Sequence, residues 1–233
     1  MANLTGNERA QYVQGMFARI AHRYDLMNRL MTVGQDVRWR REVIRRAILK
    51  PRSSLLDLGA GTGDLALEAI RQQTNISVTA ADFTLEMMRI GQYRAGATCV
   101  QWAASDALDL PFPANTFDAV VSGFLLRNVS DTRRSLREQH RILKPGGRIV
   151  CLDTTRPPKS IFTPVINFHL HQVIPTIGGM ISGDRDAYRY LPDSTESFLA
   201  AEQLAERMLS AGFRKVGFNR RLLDTIAIHW GEK

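Results

Sequence analysis

The chain predicts an α/β fold, a doubly wound parallel sheet, and three observations carry that expectation. Beyond Pro51, short apolar runs alternate with helical stretches, the pattern of parallel strands joined by crossover helices. The first run ends in the glycine-rich turn Gly59, Gly61, Gly63. Acids stand at or beyond the ends of the first three runs, at Asp57, Asp82 and Asp106, and open α/β sheets bind ligands at the carboxyl ends of their strands. At 233 residues, with 44% hydrophobic and 23% charged, the chain is long enough for a full core and too apolar for extensive disorder.

Taken in order, Val13, Phe17, Ile20, Tyr24, Met27 and Met31 recur at steps of four and three, one stripe of an amphipathic helix. Thr32-Val33-Gly34 breaks it, and a second helix runs from Asp36 to about Leu49 before Pro51. The strands are expected at Ser54–Leu58, Ser77–Ala81, Thr98–Trp102, Phe117–Ser122 and Arg148–Leu152, with helices at Asp64–Gln73, Leu85–Ala95 and Thr132–Leu143. Leu143–Gly147, "LKPGG", ends a helix and turns tightly into the next strand. Ala201–Ala211 reads as a helix stopped by Gly212, and Lys215–Asn219 with Thr225–Trp230 as a closing strand pair. Ser160–Gly183 carries no formal charge with its histidines neutral. Its prolines, glycines and polar residues make a poor membrane-spanning helix, so it reads as an insertion, within residues 155–195, over a pocket or against a membrane surface.

Charge narrows the partners. Residues 1–50 hold ten Lys/Arg against four acids, six of the eight net positive charges. This points to an anionic partner or, equally, to a solvated helix face. Cys99 and Cys151 form no disulfide framework and no metal-ligand spacing, and the N-terminus lacks a signal-peptide core, so a cytoplasmic location is expected. No Asn-Pro-Pro-Tyr-like motif or cysteine after proline marks a nucleic-acid methylase, and stacking aromatics do not interleave with the basic residues. Nucleic acid is therefore not an expected partner. The five histidines show no ligand spacing, and no metal is expected.

The glycines form G-x-G-x-G, with Asp64 where a dinucleotide fingerprint has its third glycine, and no P-loop lysine follows. The turn lets backbone approach a ligand without supplying a dedicated phosphate site. Asp82 at the second strand's end suits ribose hydroxyls, and Asp106 suits an adenine amino group. Together these features resemble the S-adenosyl-L-methionine site of class I methyltransferases.

A narrower resemblance follows from "YDLMNRLMTVGQDVRW" (24–39), "LLDLGAGTGDLA" (55–66), "FLLRNVSD" (124–131), "LKPGGRIVCLD" (143–153), "YRYLPDS" (188–194) and "IAIHWGEK" (226–233). In this order the segments resemble the UbiE/COQ5 family, the C-methyltransferases of menaquinone and ubiquinone synthesis. The resemblance implies a Rossmann-like, seven-stranded, mostly parallel sheet with helices on both faces, in one domain spanning 1–233 whose residues 1–50 form a helical cap. It implies S-adenosyl-L-methionine as cofactor, with S-adenosyl-L-homocysteine as product, held by Thr62, Asp82, Asp106, Ala107 and backbone at Gly123. Asp57, Gly59, Gly61, Gly63 and Phe83 complete that candidate site. The acceptor implied is a polyprenyl quinol, demethylmenaquinol being favoured because the chain resembles the compact menaquinone members. Four departures stand out: Asp36 replaces a histidine, Leu152–Pro157 replaces an L-E-F-S-x-P segment, Gly123 replaces a serine, and Leu223-Asp224 replaces a Gly-Gly pair.

For such chemistry the methyl is already electrophilic, so alignment and exclusion of water suffice. The expected catalytic residues are Arg127, which stabilises the acceptor phenolate or orients a proton-accepting water, with Tyr24 and Asp153 in support. Arg127 is equally well spaced for an ion pair with Asp131, and Tyr24 for a core position on the first helix. The apolar insertion and first helix are candidates for the prenyl tail, the basic N-terminal block for peripheral contact with anionic membrane, and the sequence allows a homodimer. A methyltransferase of a soluble acceptor and a non-catalytic cofactor-binding scaffold are the competing readings.

Overall fold

The computed structural model describes residues 6–158 and 194–233, with isolated positions between them. Two helices open the chain, α1 (Gly6–Met31) and α2 (Gln35–Ala47). The alternating region follows as β1 (Ser54–Leu58), α3 (Asp64–Gln72), β2 (Ser77–Asp82), α4 (Leu85–Gln92), β3 (Val100–Ala104), β4 (Phe117–Gly123), α5 (Thr132–Ile142) and β5 (Leu143–Thr154). After the break come α6 (Ala201–Ser210), β6 (Arg214–Arg221) and β7 (Ile226–Glu232). Most of Ser160–Gly183, with His169 and His171, lies outside the described residues.

The seven strands are ordered β3-β2-β1-β4-β5-β7-β6. Strands β1 to β5 pair in parallel, and β7 runs antiparallel between β5 and β6. The order reverses between β1, which pairs with β2 on one side, and β4 on the other. A crevice at this switch point is where doubly wound sheets take ligands.

Alternation along each central strand feeds two cores. Leu55, Val121, Val150 and Leu152 pack on one face with Trp39, Val43 and Ile44 of α2 and Ala66 and Ala69 of α3. Leu56, Val120, Ile149 and Cys151 pack on the other with Leu136 of α5 and Leu204 and Met208 of α6. A smaller cluster gathers Met16, Ile20 and Met27 of α1 with Tyr190.

Three expectations shift. A 3₁₀ turn at Ala97–Cys99 takes Thr98 and Cys99 from the predicted third strand, whose pairing starts at Val78↔Val100. The "LKPGG" segment is not a turn before the strand: Leu143 already pairs with Phe117, and pairing resumes at Ala119↔Arg148 around a bulge. Gly147 is required there, because a Cβ would lie 2.8 Å from the Lys144 carbonyl oxygen. The Leu223-Asp224 departure lies in the β6–β7 connection, where Leu222, Leu223 and Asp224 are all left-handed, with φ of 47°, 50° and 63°. Glycine adopts that backbone without strain.

Candidate active site

A cavity at the carboxyl edge is walled by α1, the turn after β1 and the segments following β2, β3 and β4. Nine of the ten expected cofactor residues line it: Asp57, Gly59, Gly61, Thr62, Asp82, Phe83, Asp106, Ala107 and Gly123. Gly59 and Gly61 hold φ of 67° and 56°, a left-handed backbone that favours glycine, and a Cβ at Gly59 would lie 2.8 Å from the Leu125 side chain at the cavity wall. Gly63 does not line it. A Cβ there would meet the Trp102 ring at 2.7 Å, so this glycine makes room for a side chain of β3.

Each carboxylate has a different setting. Asp57 is buried, its Oδ2 accepting from the Ala66 backbone N–H at 2.9 Å while Oδ1 has no partner. Burial, with Asp64 and Asp82 nearby, pushes its carboxyl up to about 7. Asp82 accepts from Gly61 N–H and Thr84 N–H, each at 2.7 Å, and burial still raises it. Asp106 is exposed and accepts from Leu108 N–H at 2.9 Å. The Thr62 hydroxyl donates to Asp25 Oδ1 at 2.7 Å, and Gln14 of α1 donates to the Phe83 carbonyl at 2.9 Å.

Charged residues tie the two N-terminal helices to this edge. Arg40 of α2 pairs with Asp36 on its own helix and, at 2.8 Å, with Asp64 at the start of α3. Arg94 reaches Asp64 at 2.7 Å and Asp25 of α1 at 3.4 Å. Arg40 and Asp64 also line the cavity. Sequence alone does not single out either, because Arg40 sits in an Arg-rich run that reads as a solvated face and Asp64 reads only as the place of a missing third glycine.

The three expected catalytic residues divide. Tyr24 lines the cofactor cavity, edge-on to Phe17 with ring centroids 5.6 Å apart. Burial pushes its phenol up against the pull of Asn28 and the Arg127 and Arg40 charges. Arg127 lines an adjoining cavity that shares Val129 and Ser130 with the first. Its Nη1 lies 3.4 Å from Asp153 Oδ1, its backbone N–H donates to Asp153 Oδ2 at 3.2 Å, and its guanidinium lies over the Phe124 ring at 4.9 Å. Both residues are buried, and the Arg127 Nε has no hydrogen-bond partner. Asp131 is not its partner; that carboxylate caps α5 by accepting from Arg134 N–H at 2.9 Å. Asp153 lies behind Arg127, on β5, its carboxyl raised by burial although Arg127 opposes this. Among the described residues no group of three or more His, Cys, Asp or Glu side chains converges as metal ligands do.

The residues fit an adenosyl cofactor. Bare loop backbone, the half-satisfied Asp57 and the Asp82 and Asp106 carboxylates offer acceptors along one groove, where a sulfonium and an ammonium are favoured over anions.

Comparisons agree with this geometry. Crystal structures of the [4+2]-cyclase SpnF (TM-score 0.69, 20% identity, covering 98% of this chain and 96% of that one) and of a Thermotoga maritima SAM-dependent methyltransferase, possible histamine N-methyltransferase (TM-score 0.66, 19%, covering 94% and 98%), share the fold. That a cyclase shares it shows how little the fold alone says of the reaction. The chain is 47% identical to the ubiquinone/menaquinone biosynthesis C-methyltransferase UbiE of Desulfotalea psychrophila, over 95% of this chain and 90% of the relative. It is 44% identical to a demethylmenaquinone methyltransferase of Thermus thermophilus, over 94% of this chain and all of the relative. The model of the ubiE/COQ5 methyltransferase family matches residues 5–233, and with it the six sequence segments, the strand order and the groove of carboxylates find one explanation: the chain belongs to that family.

Proposed function

We propose that this S-adenosyl-L-methionine-dependent C-methyltransferase methylates the ring of a polyprenylated quinol, converting demethylmenaquinol to menaquinol. One observation carries the reading: the buried Arg127 lines a second cavity that adjoins the cofactor cavity, and Asp153 pairs with it from behind. The cofactor supplies an electrophilic methyl group. Arg127 stabilises the acceptor as phenolate, which makes the neighbouring ring carbon nucleophilic. Asp153, held by the Arg127 side chain and backbone, fixes the guanidinium. Tyr24 closes the wall between α1 and the glycine turn and helps exclude water. Water accepts the proton released as the methylated ring regains aromaticity, leaving S-adenosyl-L-homocysteine as the other product. Asp57, Gly59, Gly61, Thr62, Asp82, Phe83, Asp106, Ala107 and Gly123 are the proposed cofactor contacts, within one domain spanning 1–233.

A quinol with a long tail is met at a membrane, and surface charge supports peripheral contact. No described helix is long and apolar enough to cross a bilayer. Between residues 11 and 50 the exposed side chains include Arg19, Arg23, Arg29, Arg38, Arg41 and Arg45 with Leu26, Leu30 and Val33. The three acids of that stretch are engaged by Thr62, Arg40, and Arg46 with Arg221, respectively for Asp25, Asp36 and Glu42. Basic residues at an anionic surface contribute about 1 kcal/mol each.

The test is transfer of labelled methyl from the cofactor to prenylated demethylmenaquinol, a short-chain quinol, the benzoquinol counterpart and soluble phenols. Turnover is expected with the prenylated naphthoquinol. Turnover with soluble phenols alone overturns the acceptor assignment, and cofactor binding without transfer to any acceptor leaves a binding scaffold. In Arg127→Ala, turnover should fall far more than cofactor affinity, and equal loss in both refutes the role given to Arg127.

A further inference from the structure

The cofactor cavity holds an imbalance that the contacts above leave unused. Four carboxylates line it, Asp57, Asp64, Asp82 and Asp106, and Arg40 is the one cation among the described lining residues. Arg40 is 8% exposed. Both of its ion pairs, to Asp36 and Asp64, fall on Nη1, and Nη2 and Nε make no hydrogen bond to a described residue. A buried guanidinium thus keeps a two-donor edge in reserve, the shape that a carboxylate takes in parallel hydrogen bonds.

Its place in the groove matters. The strand order puts Asp106 beyond β3 and Asp82 at the end of β2, whereas α2 packs on α3, β4 and β5. Arg40 therefore stands at the end opposite Asp106. A cofactor with its base near Asp106 and its ribose at Asp82 extends its amino-acid end toward β1 and β4. There its ammonium and sulfonium meet carboxylates, including the open Oδ1 of Asp57. Among the charged groups that line the cavity within the described residues, Arg40 alone attracts its carboxylate.

We propose that Arg40 receives the α-carboxylate of the cofactor and so selects ligands carrying the complete amino-acid chain. The inference rests on the S-adenosyl reading of the cavity. Asp36 and Asp64 act as positioning residues: by holding Nη1 they turn the Nη2–Nε edge toward the ligand. A charge-assisted pair of this kind contributes about tenfold to a hundredfold in affinity.

Calorimetry on the full chain tests it with three probes: S-adenosylhomocysteine, its decarboxylated analogue, and 5′-methylthioadenosine, which lacks the amino-acid chain. Unaltered protein should prefer S-adenosylhomocysteine over the decarboxylated analogue by about tenfold to a hundredfold. Arg40→Lys keeps the charge but loses the paired donors and should shrink that ratio. Arg40→Gln should bring it near one, with methylthioadenosine affinity unchanged in both variants. The proposal is overturned if the unaltered protein fails to distinguish the first two probes, a result that does not depend on any variant folding. It is overturned equally if the variants keep the ratio, or lose methylthioadenosine in step with S-adenosylhomocysteine, which marks a structural role. Folded protein that binds none of the three instead refutes the S-adenosyl reading itself.

Discussion

Trp102 of β3 lies over two glycines, and that notch allows a sharp energetic prediction. In α4, a Cβ at Gly91 would lie 2.3 Å from Trp102 Cη2 and 2.9 Å from the Thr62 carbonyl oxygen. Gly91→Ala gains about 1 kcal/mol of helix propensity, but overpacking a filled interior costs about 1–3 kcal/mol, and the Thr62 carbonyl belongs to the loop that shapes the cavity. A net loss of up to about 2 kcal/mol is expected, lowering the melting temperature by up to about 8 °C in a chain this long. Trp102→Phe withdraws the far edge of the indole, so Gly91→Ala should cost less in that background, with a coupling of about 1 kcal/mol. Gly63→Ala should behave differently. Its φ of 82° strains any L side chain by about 1 kcal/mol whatever lies nearby, so Trp102→Phe relieves only part of its cost. Urea unfolding of the single and double variants supplies both cycles. Strict additivity of Gly91→Ala with Trp102→Phe refutes the contact, and Gly63→Ala that lowers cofactor affinity without lowering stability refutes the packing role of Gly63.

Other expectations follow from the same geometry. Asp57 titrates in the folded protein at about 7, against an ordinary value of 3.8. Its contribution to stability is then full below about pH 4 and is lost as pH rises through 7. Asp57→Asn should flatten the fall in unfolding free energy between pH 4 and 8, and an unchanged slope in urea titrations contradicts this. Leu223→Gly and Val33→Gly, at exposed sites with φ of 50° and 52°, should each add about 0.5–1 kcal/mol and raise melting by about 1–4 °C; unchanged or lower melting temperatures contradict the strain. Binding to vesicles of anionic lipid should weaken with added salt, and salt-insensitive binding, or none, removes the peripheral contact.

The sequence makes most of the scaffold legible because alternation and punctuation are local. Ser54–Leu58 is predicted to the residue, bounded as it is by Ser53 and Gly59. The misreadings share a cause in contacts distant along the chain. Gly63 reads as a ligand-facing glycine until Trp102 is seen against it, and Lys144–Gly147 reads as a turn until the pairing of Leu143 with Phe117 places the segment within a bulged strand. Arg40 is hidden for the same reason, since nothing in an Arg-rich helix marks which guanidinium faces inward to Asp64. The Leu223-Asp224 departure lines neither cavity; it marks the left-handed β6–β7 connection instead.

The ionic lattice joining Asp25, Asp36, Arg40, Asp64 and Arg94 has a bearing on how such proteins can be recombined. An N-terminal segment grafted from a relative would bring its own residue opposite Asp64, and a mismatch would strand a desolvated charge in the wall that receives the ligand. Successful chimaeras at this junction must therefore exchange the helix pair together with the start of α3, as one inherited block.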